Sequence, residues 1–182
     1  MGKPKDTFSD YSEKGATISR NGRYRYDLVR RWDGLIKRPD STVLFIGLNP
    51  STANARQDDP TIRRCVTFAR LWGFGGLVMC NLFAYRATNP DEMLRLPRRH
   101  GMGCFNDRTI IGHAERAARI VLCWGAHGEH RKRGADVRRS MLFVRDYEQK
   151  VMQFGQCANG EPKHPLYLRG DTELKPVWGV AA

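Results

Sequence analysis

The sequence predicts an α/β fold: a three-layer α/β/α arrangement with a central, mainly parallel four-stranded sheet, preceded by an N-terminal β-hairpin. Three observations lead there. Four short apolar runs, STVLFIGL, GLVMCNLFAY, RIVLCWGA and KVMQFGQC, are rich in strand formers and poor in charge, as in strands buried on both faces. The segments between them are long enough for helices, and they carry helical periodicity. An alternating β-α-β order folds into a parallel sheet with helices on its two sides.

Taken in order, residues 1–15 are polar and expected to be flexible, and residues 16–182 are expected to form one domain. ATISRNGRYRYDLVRRW holds two strand-like runs around Asn21-Gly22, a hairpin turn signal. After the first buried run, residues 60–72 read as a helix. Asp59 suits the cap, Pro60 the first helical position and Gly73 the stop. Ile62, Cys65, Val66, Ala69 and Trp72 fall on one face of it. A second helix is expected near 106–118, and a third over 135–149, where Val137, Met141, Val144 and Glu148 recur at helical spacing.

A chain of 182 residues suits a single core, and 41% hydrophobic with 27% charged residues is ordinary for a globular protein. The charge balance is not ordinary: 31 Lys+Arg against 19 Asp+Glu give +12, a field that attracts polyanions, nucleic acid first. No apolar run approaches the ~20 residues of a membrane span, and MGKPKDTFSD lacks the apolar core of a signal peptide. Asp6 stands where a myristoylation signal at Gly2 wants Ser or Thr. The expectation is a cytoplasmic protein with no membrane partner. Five cysteines, an odd number without a C-x-x-C, argue against a disulfide framework, a zinc knuckle or an iron–sulfur site. His127 and His130 stand three apart in a basic loop and read as solvated rather than metal-binding, so neither metal nor cofactor is expected.

Parallel sheets of this kind bind ligands beyond the carboxyl ends of their strands. Those ends carry Gly47, Leu48, Asn49, Pro50, Ser51 and Thr52; Asn81, Tyr85, Arg86 and Thr88; Trp124, Gly125 and His127; and, after the fourth strand, His164-Pro165. A phosphate loop, a dinucleotide fingerprint, a nucleophile elbow and a zinc-protease helix are all missing.

GLNPS, NLFAYRATNP, VLCWGA and HPLYL occur in that order over roughly residues 41 to 169. This pattern looks like that of a bacterial and phage family of unassigned function, which in turn resembles the uracil-DNA glycosylase superfamily. GLNPS is similar to the first motif of the mismatch-specific branch. Asn81 through Arg86 is similar to the second-strand motif of another branch, and His164-Pro165-Leu166-Tyr167-Leu168 to the closing His-Pro motif. The resemblance implies a glycosylase-like domain that flips a nucleotide out of DNA and hydrolyses its N-glycosidic bond, leaving an abasic site. The superfamily's stacking aromatic after the first motif is missing from ANARQDDPTIRR. That departure implies a bulky or unusual base, a modified or deaminated pyrimidine, with hypermodified phage cytosine as one candidate and antiviral defence as one setting.

Under this resemblance Asn49 holds the attacking water, His164 donates to the oxygen of the departing base, and Asn81 reads the edge of the base. Gly47, Leu48, Pro50, Ser51 and Tyr85 complete the base pocket. Of two adjacent acids, Asp59 is assigned to the helix cap and Asp58 to general-base work. Arg63, Arg64, Arg86, Arg131, Lys132, Arg133, Tyr167 and Arg169 are the expected DNA contacts of a monomer. Asn49, in place of an acid, also allows an alternative: a protein that reads a modified base or damaged DNA without cutting it.

Overall fold

A computed structural model describes residues 10–33 and 41–178. The hairpin comes first: β1 (Glu13–Ile18) and β2 (Arg25–Arg31) pair antiparallel around Gly22, whose φ of +72° is the left-handed geometry that the Asn-Gly signal anticipates. β1 therefore crosses the expected boundary at residue 15. The rest of the expected flexible segment, residues 1–9, lies outside the described residues.

β3 (Thr42–Gly47), β4 (Gly76–Asn81), β5 (Arg119–Leu122) and β6 (Val151–Gln153) are the four buried runs of the sequence, and they pair in parallel in the order β4-β3-β5-β6. The sheet is larger than four strands. β2 joins β4 antiparallel and brings β1 with it, while β7 (Lys175–Pro176) joins β6 antiparallel, giving a mixed seven-stranded sheet. The hairpin is thus part of the sheet. Leu28 of β2 is fully buried and joins the same cluster as Phe45, Leu77 and Ile62, so joining the sheet buries an apolar side chain of β2.

Among the described residues six α-helices accompany the strands. α1 (Pro60–Leu71) begins as expected: Asp59 Oδ1 accepts from the Ile62 N–H at 2.9 Å, and Gly73 follows at φ +79°. α2 (Pro90–Leu94) and α3 (Arg98–Met102) are short, and α4 (Asn106–Ala114) is the expected second helix. The third expected helix is broken. α5 (Arg133–Met141) stops, Asp146 adopts φ +57°, and α6 (Tyr147–Lys150) restarts from it. The periodicity ran on because Val144 is still buried, but within a turn.

Strand alternation divides the core in two. Leu44, Ile46, Val78, Cys80, Ile120 and Leu122 pack with Ile110 and Ala114 of α4 and Val137 and Met141 of α5. Val43, Phe45, Leu77, Met79 and Val121 pack with Ile62, Cys65, Val66 and Ala69 of α1. Cys65, Cys80 and Cys123 are fully buried here, and burial pushes each thiol well above its usual range. All five cysteines are free. Among the described residues no helix is long and apolar enough to cross a membrane.

Candidate functional site

β3 is central, and the chain leaves it to one side towards β4 before returning to its other side at β5. The connections diverge there, and a crevice opens at the carboxyl ends. A cavity of about 840 Å³ occupies it, lined by the first-motif loop, the start of α1, Asn81, the segment after β5 and the His164 loop. This lies within the ~300–1,000 Å³ range of small-molecule pockets.

The loops after β3 and β4 are zipped by main-chain bonds: Leu82 N to Gly47 O, Phe83 N to Leu48 O and Ala87 N to Pro50 O, each 2.9 Å. Both Asn49 amide hydrogens are directed at carbonyls, Nδ2 donating to Ala87 O at 2.8 Å and to Pro50 O at 3.1 Å. The amide is thereby oriented, and Oδ1 remains as the acceptor that Asn49 offers the cavity. Asn81 is only 4% exposed and pairs across the sheet with Gly47. Its side chain fits because Gly47 has none: a Cβ there would stand 2.8 Å from Asn81 Nδ2.

Arg25 is the residue that sequence reasoning missed. It is 2% exposed and lines the cavity. Its guanidinium donates to Asn81 Oδ1 at 2.9 Å and to Ala53 O at 3.2 Å, while Nε is buried without a partner. A β-bulge aims it. β1 and β2 pair as Thr17–Asp27 and then as Ile18–Arg25, so Tyr26 is an extra residue in the ladder. Unbroken alternation would place Arg25 with Asp27, which bonds His113 of α4, and with Val29. The bulge turns it to the α1 side, with Leu28 and Ala53. Burial lowers its pKa to about 10, partly offset by the Asp59 carboxylate, so it stays a cation at neutral pH. A bulge of this kind leaves only an extra polar residue in a strand pattern, which RYRYDLVRR masks with its many charges.

His164 reaches the cavity from the segment after β6, which is tied to the end of β5. Gly125, at φ +77°, donates its N–H to Pro162 O at 2.8 Å, and Lys163 N donates to Gly155 O at 3.0 Å. Trp124 Nε1 and Arg138 both donate to Glu161 Oε2, at 2.5 and 2.6 Å, which holds this segment against α5. His164 Nδ1 accepts from Leu166 N at 3.3 Å, so the neutral ring carries its proton on Nε2. Burial lowers its pKa, with Asp59 opposing, and keeps the ring neutral near pH 7. Tyr167, 85% exposed, stands beside it at 5.8 Å between ring centroids, on the rim of the cavity with Leu166.

Asp59 keeps the cap that the sequence assigns it, but Asp58 does not stand at the cavity. Arg30 Nε and the Tyr11 hydroxyl donate to the two Asp58 oxygens at 2.7 and 2.8 Å. Asp59 both caps α1 and lines the cavity, with Oδ2 unbonded. It is the carboxylate available there.

The remaining expected contacts divide. Leu48 and Ser51 line the cavity, while Pro50 is buried beside it and its carbonyl accepts from Ala87 N. Tyr85 packs edge-on against Tyr24, away from the cavity. Arg133 is 2% exposed: it donates to Leu82 O at 3.0 Å and pairs with Asp107, so it braces the end of β4 instead of facing DNA. Arg86 donates to Gly22 O at 3.1 Å, and Arg64 to Leu168 O while lying over Phe68. Arg63, Arg131, Lys132 and Arg169 are exposed, Arg131 and Lys132 at φ +52° and +60°, and Arg169 beside Asp171 at 3.1 Å. His127 lines the cavity, but His130 packs on Phe83.

Fold and site together define an α/β protein with a largely apolar pocket, set with a few polar groups, at the carboxyl edge of a mixed sheet. In it two oriented amides, a neutral imidazole, a carboxylate and a buried guanidinium converge. The chain belongs to the family described as "Protein of unknown function (DUF1643)", whose model matches residues 25–166, a span that opens on Arg25 and closes on Leu166. No curated protein and no solved structure matches it.

Proposed function

We propose that the protein is a monofunctional DNA N-glycosylase on a three-layer scaffold like that of the uracil-DNA glycosylases, excising a modified or deaminated pyrimidine. The observation that carries this reading is the convergence of Asn49, Asn81 and His164 on one cavity, although they lie in three segments far apart in sequence. The size of the cavity supports a base larger than a plain pyrimidine.

In the proposed reaction the nucleotide is flipped into the cavity, at a cost of roughly a few kcal/mol. The bond between the base nitrogen and C1′ breaks, and its electron pair leaves with the base. His164 Nε2–H and the Asn81 amide donate to the carbonyl oxygens on which that charge settles, a contribution of about 3–4 kcal/mol for a well-placed donor. A water held by Asn49 Oδ1 adds through oxygen to C1′, and its proton passes to Asp59. Tyr167 and Leu166 stand on the rim to fill or brace the place the base leaves. Exposed Arg63, Arg131, Lys132 and Arg169 grip phosphates.

The test is incubation with duplexes and single strands carrying uracil, mismatches or phage-type modified cytosines, followed by alkali to cut abasic sites. Strand cleavage on one of them is the expected result; a folded protein that cuts none of them overturns the enzyme reading for these substrates. A second reading, a non-catalytic reader of modified or damaged DNA, draws on Asn49, which cannot take up a proton. It requires salt-sensitive DNA binding without abasic sites.

A further inference from the structure

Arg25 is a buried cation with no carboxylate in contact. Its two terminal nitrogens each make one bond, to a backbone carbonyl and to the side-chain oxygen of Asn81. An asparagine amide can present either end to a ligand, and in an unconstrained site it rotates to suit. Here rotation by 180° would set the Asn81 NH₂ against the Arg25 NH₂, donor against donor, in a region where neither is exposed to water. An unsatisfied buried donor is costly, so the flipped amide is excluded. Gly47 opens the opposite side, because its missing side chain leaves room for Nδ2.

We propose that Arg25 is a positioning residue that locks Asn81 as a hydrogen-bond donor towards the cavity, so that the pocket selects a carbonyl oxygen over an exocyclic amine at that point. In this role Arg25 acts through Asn81. The β-bulge at Tyr26 is the device that puts it there. The preference for a carbonyl rests on the nucleobase reading of the pocket; the lock itself does not. Within that reading it favours oxo bases at the Asn81 edge and disfavours an amino group at the same position.

The experiment has a ligand-free arm and a ligand arm, on the full chain. In ¹⁵N-labelled protein the Asn81 side-chain amide, assigned by its loss in Asn81→Asp, gives two separate resonances protected from exchange. In Arg25→Lys, which keeps the charge but loses the fork, they move and lose protection. Unchanged Asn81 resonances in a folded Arg25→Lys overturn the lock. In the second arm, calorimetry compares deoxyuridine and deoxycytidine monophosphates. The wild type prefers the former about tenfold, the size of one satisfied against one opposed hydrogen bond. Arg25→Lys narrows the ratio, and Asn81→Asp, which turns the donor into an acceptor, reverses it. Equal ratios in all three proteins overturn the selection. Because the amide resonances need no ligand and the alkali assay needs no discrimination, failure of the lock and failure of the glycosylase reading are told apart.

Discussion

Gly47 and Asn81 face each other across two parallel strands, and the space a Cβ would take on Gly47 is occupied by the Asn81 amide, 2.8 Å away. Gly47→Ala must therefore displace the amide or the strand. Forced overpacking of this kind costs about 1–3 kcal/mol. Urea denaturation should show that loss, and ligand affinity should fall further than stability alone explains. An alanine variant with wild-type stability and affinity would falsify the close approach.

Asp58 and Asp59, adjacent in sequence, should part company on mutation. Asp58→Ala strips the partner from fully buried Arg30, whose pair with it spans 2.7 Å. Breaking such a pair costs about 3–5 kcal/mol, so the variant should melt early. Asp59→Asn keeps a good helix cap and should melt near the wild type. If Asp59 takes the proton from water, turnover should nonetheless drop about 10²–10⁴-fold. A stable Asp59→Asn with full turnover removes it from the chemistry.

Stability should depend on pH through His164. Burial lowers its pKa in the folded chain, whereas the unfolded histidine keeps a value near ~6.5. Below that value the unfolded state binds more protons, so stability rises with pH through this window. The contribution is fully present above about pH 6.5 and is lost as pH falls towards the lowered folded value. His130 is shifted the same way by its own burial, so the measurement is the difference between wild type and His164→Gln. Denaturation midpoints from pH 7.5 to 5 should fall less steeply in the variant; parallel curves count against a depressed His164.

Tyr167→Ala should leave stability within ~0.5 kcal/mol, since the ring is 85% exposed. If the ring stacks on a base, DNA affinity should drop by roughly 1–3 kcal/mol, about 5- to 150-fold. Fluorescence anisotropy on a labelled oligonucleotide reads this directly. Unchanged affinity assigns the rim of the cavity no part in binding.

Much of the frame could be read in advance because burial on both faces writes continuous apolar runs, and β3 to β6 are such runs. α1 was legible to the residue at its start, where Asp59 and Pro60 act locally. β7 was not, since two residues, Lys175–Pro176, carry no period. Asn49, Asn81 and His164 stood out because strand ends in a parallel sheet converge whatever their distance in sequence. The choice between Asp58 and Asp59 was illegible: what separates them is Arg30, 28 residues earlier and on an antiparallel strand. Arg133 read as a DNA contact because nothing local shows that Asp107 and Leu82 O await it.

One strand supplies both arginines that shape the site, and it comes before all four motifs. Arg25 meets Asn81 and Ala53, while Arg30 bonds Asp58 and the carbonyl of Asn54. A fragment cut at Ser41 would keep GLNPS and every later motif, yet lose the brace of the loop and the partner of the amide. Transplanting the motifs onto another parallel sheet would carry the lettering of the pocket without its tension. A fragment that keeps the Arg25–Asn81 contact has to begin upstream of Arg25, with the hairpin that carries the bulge.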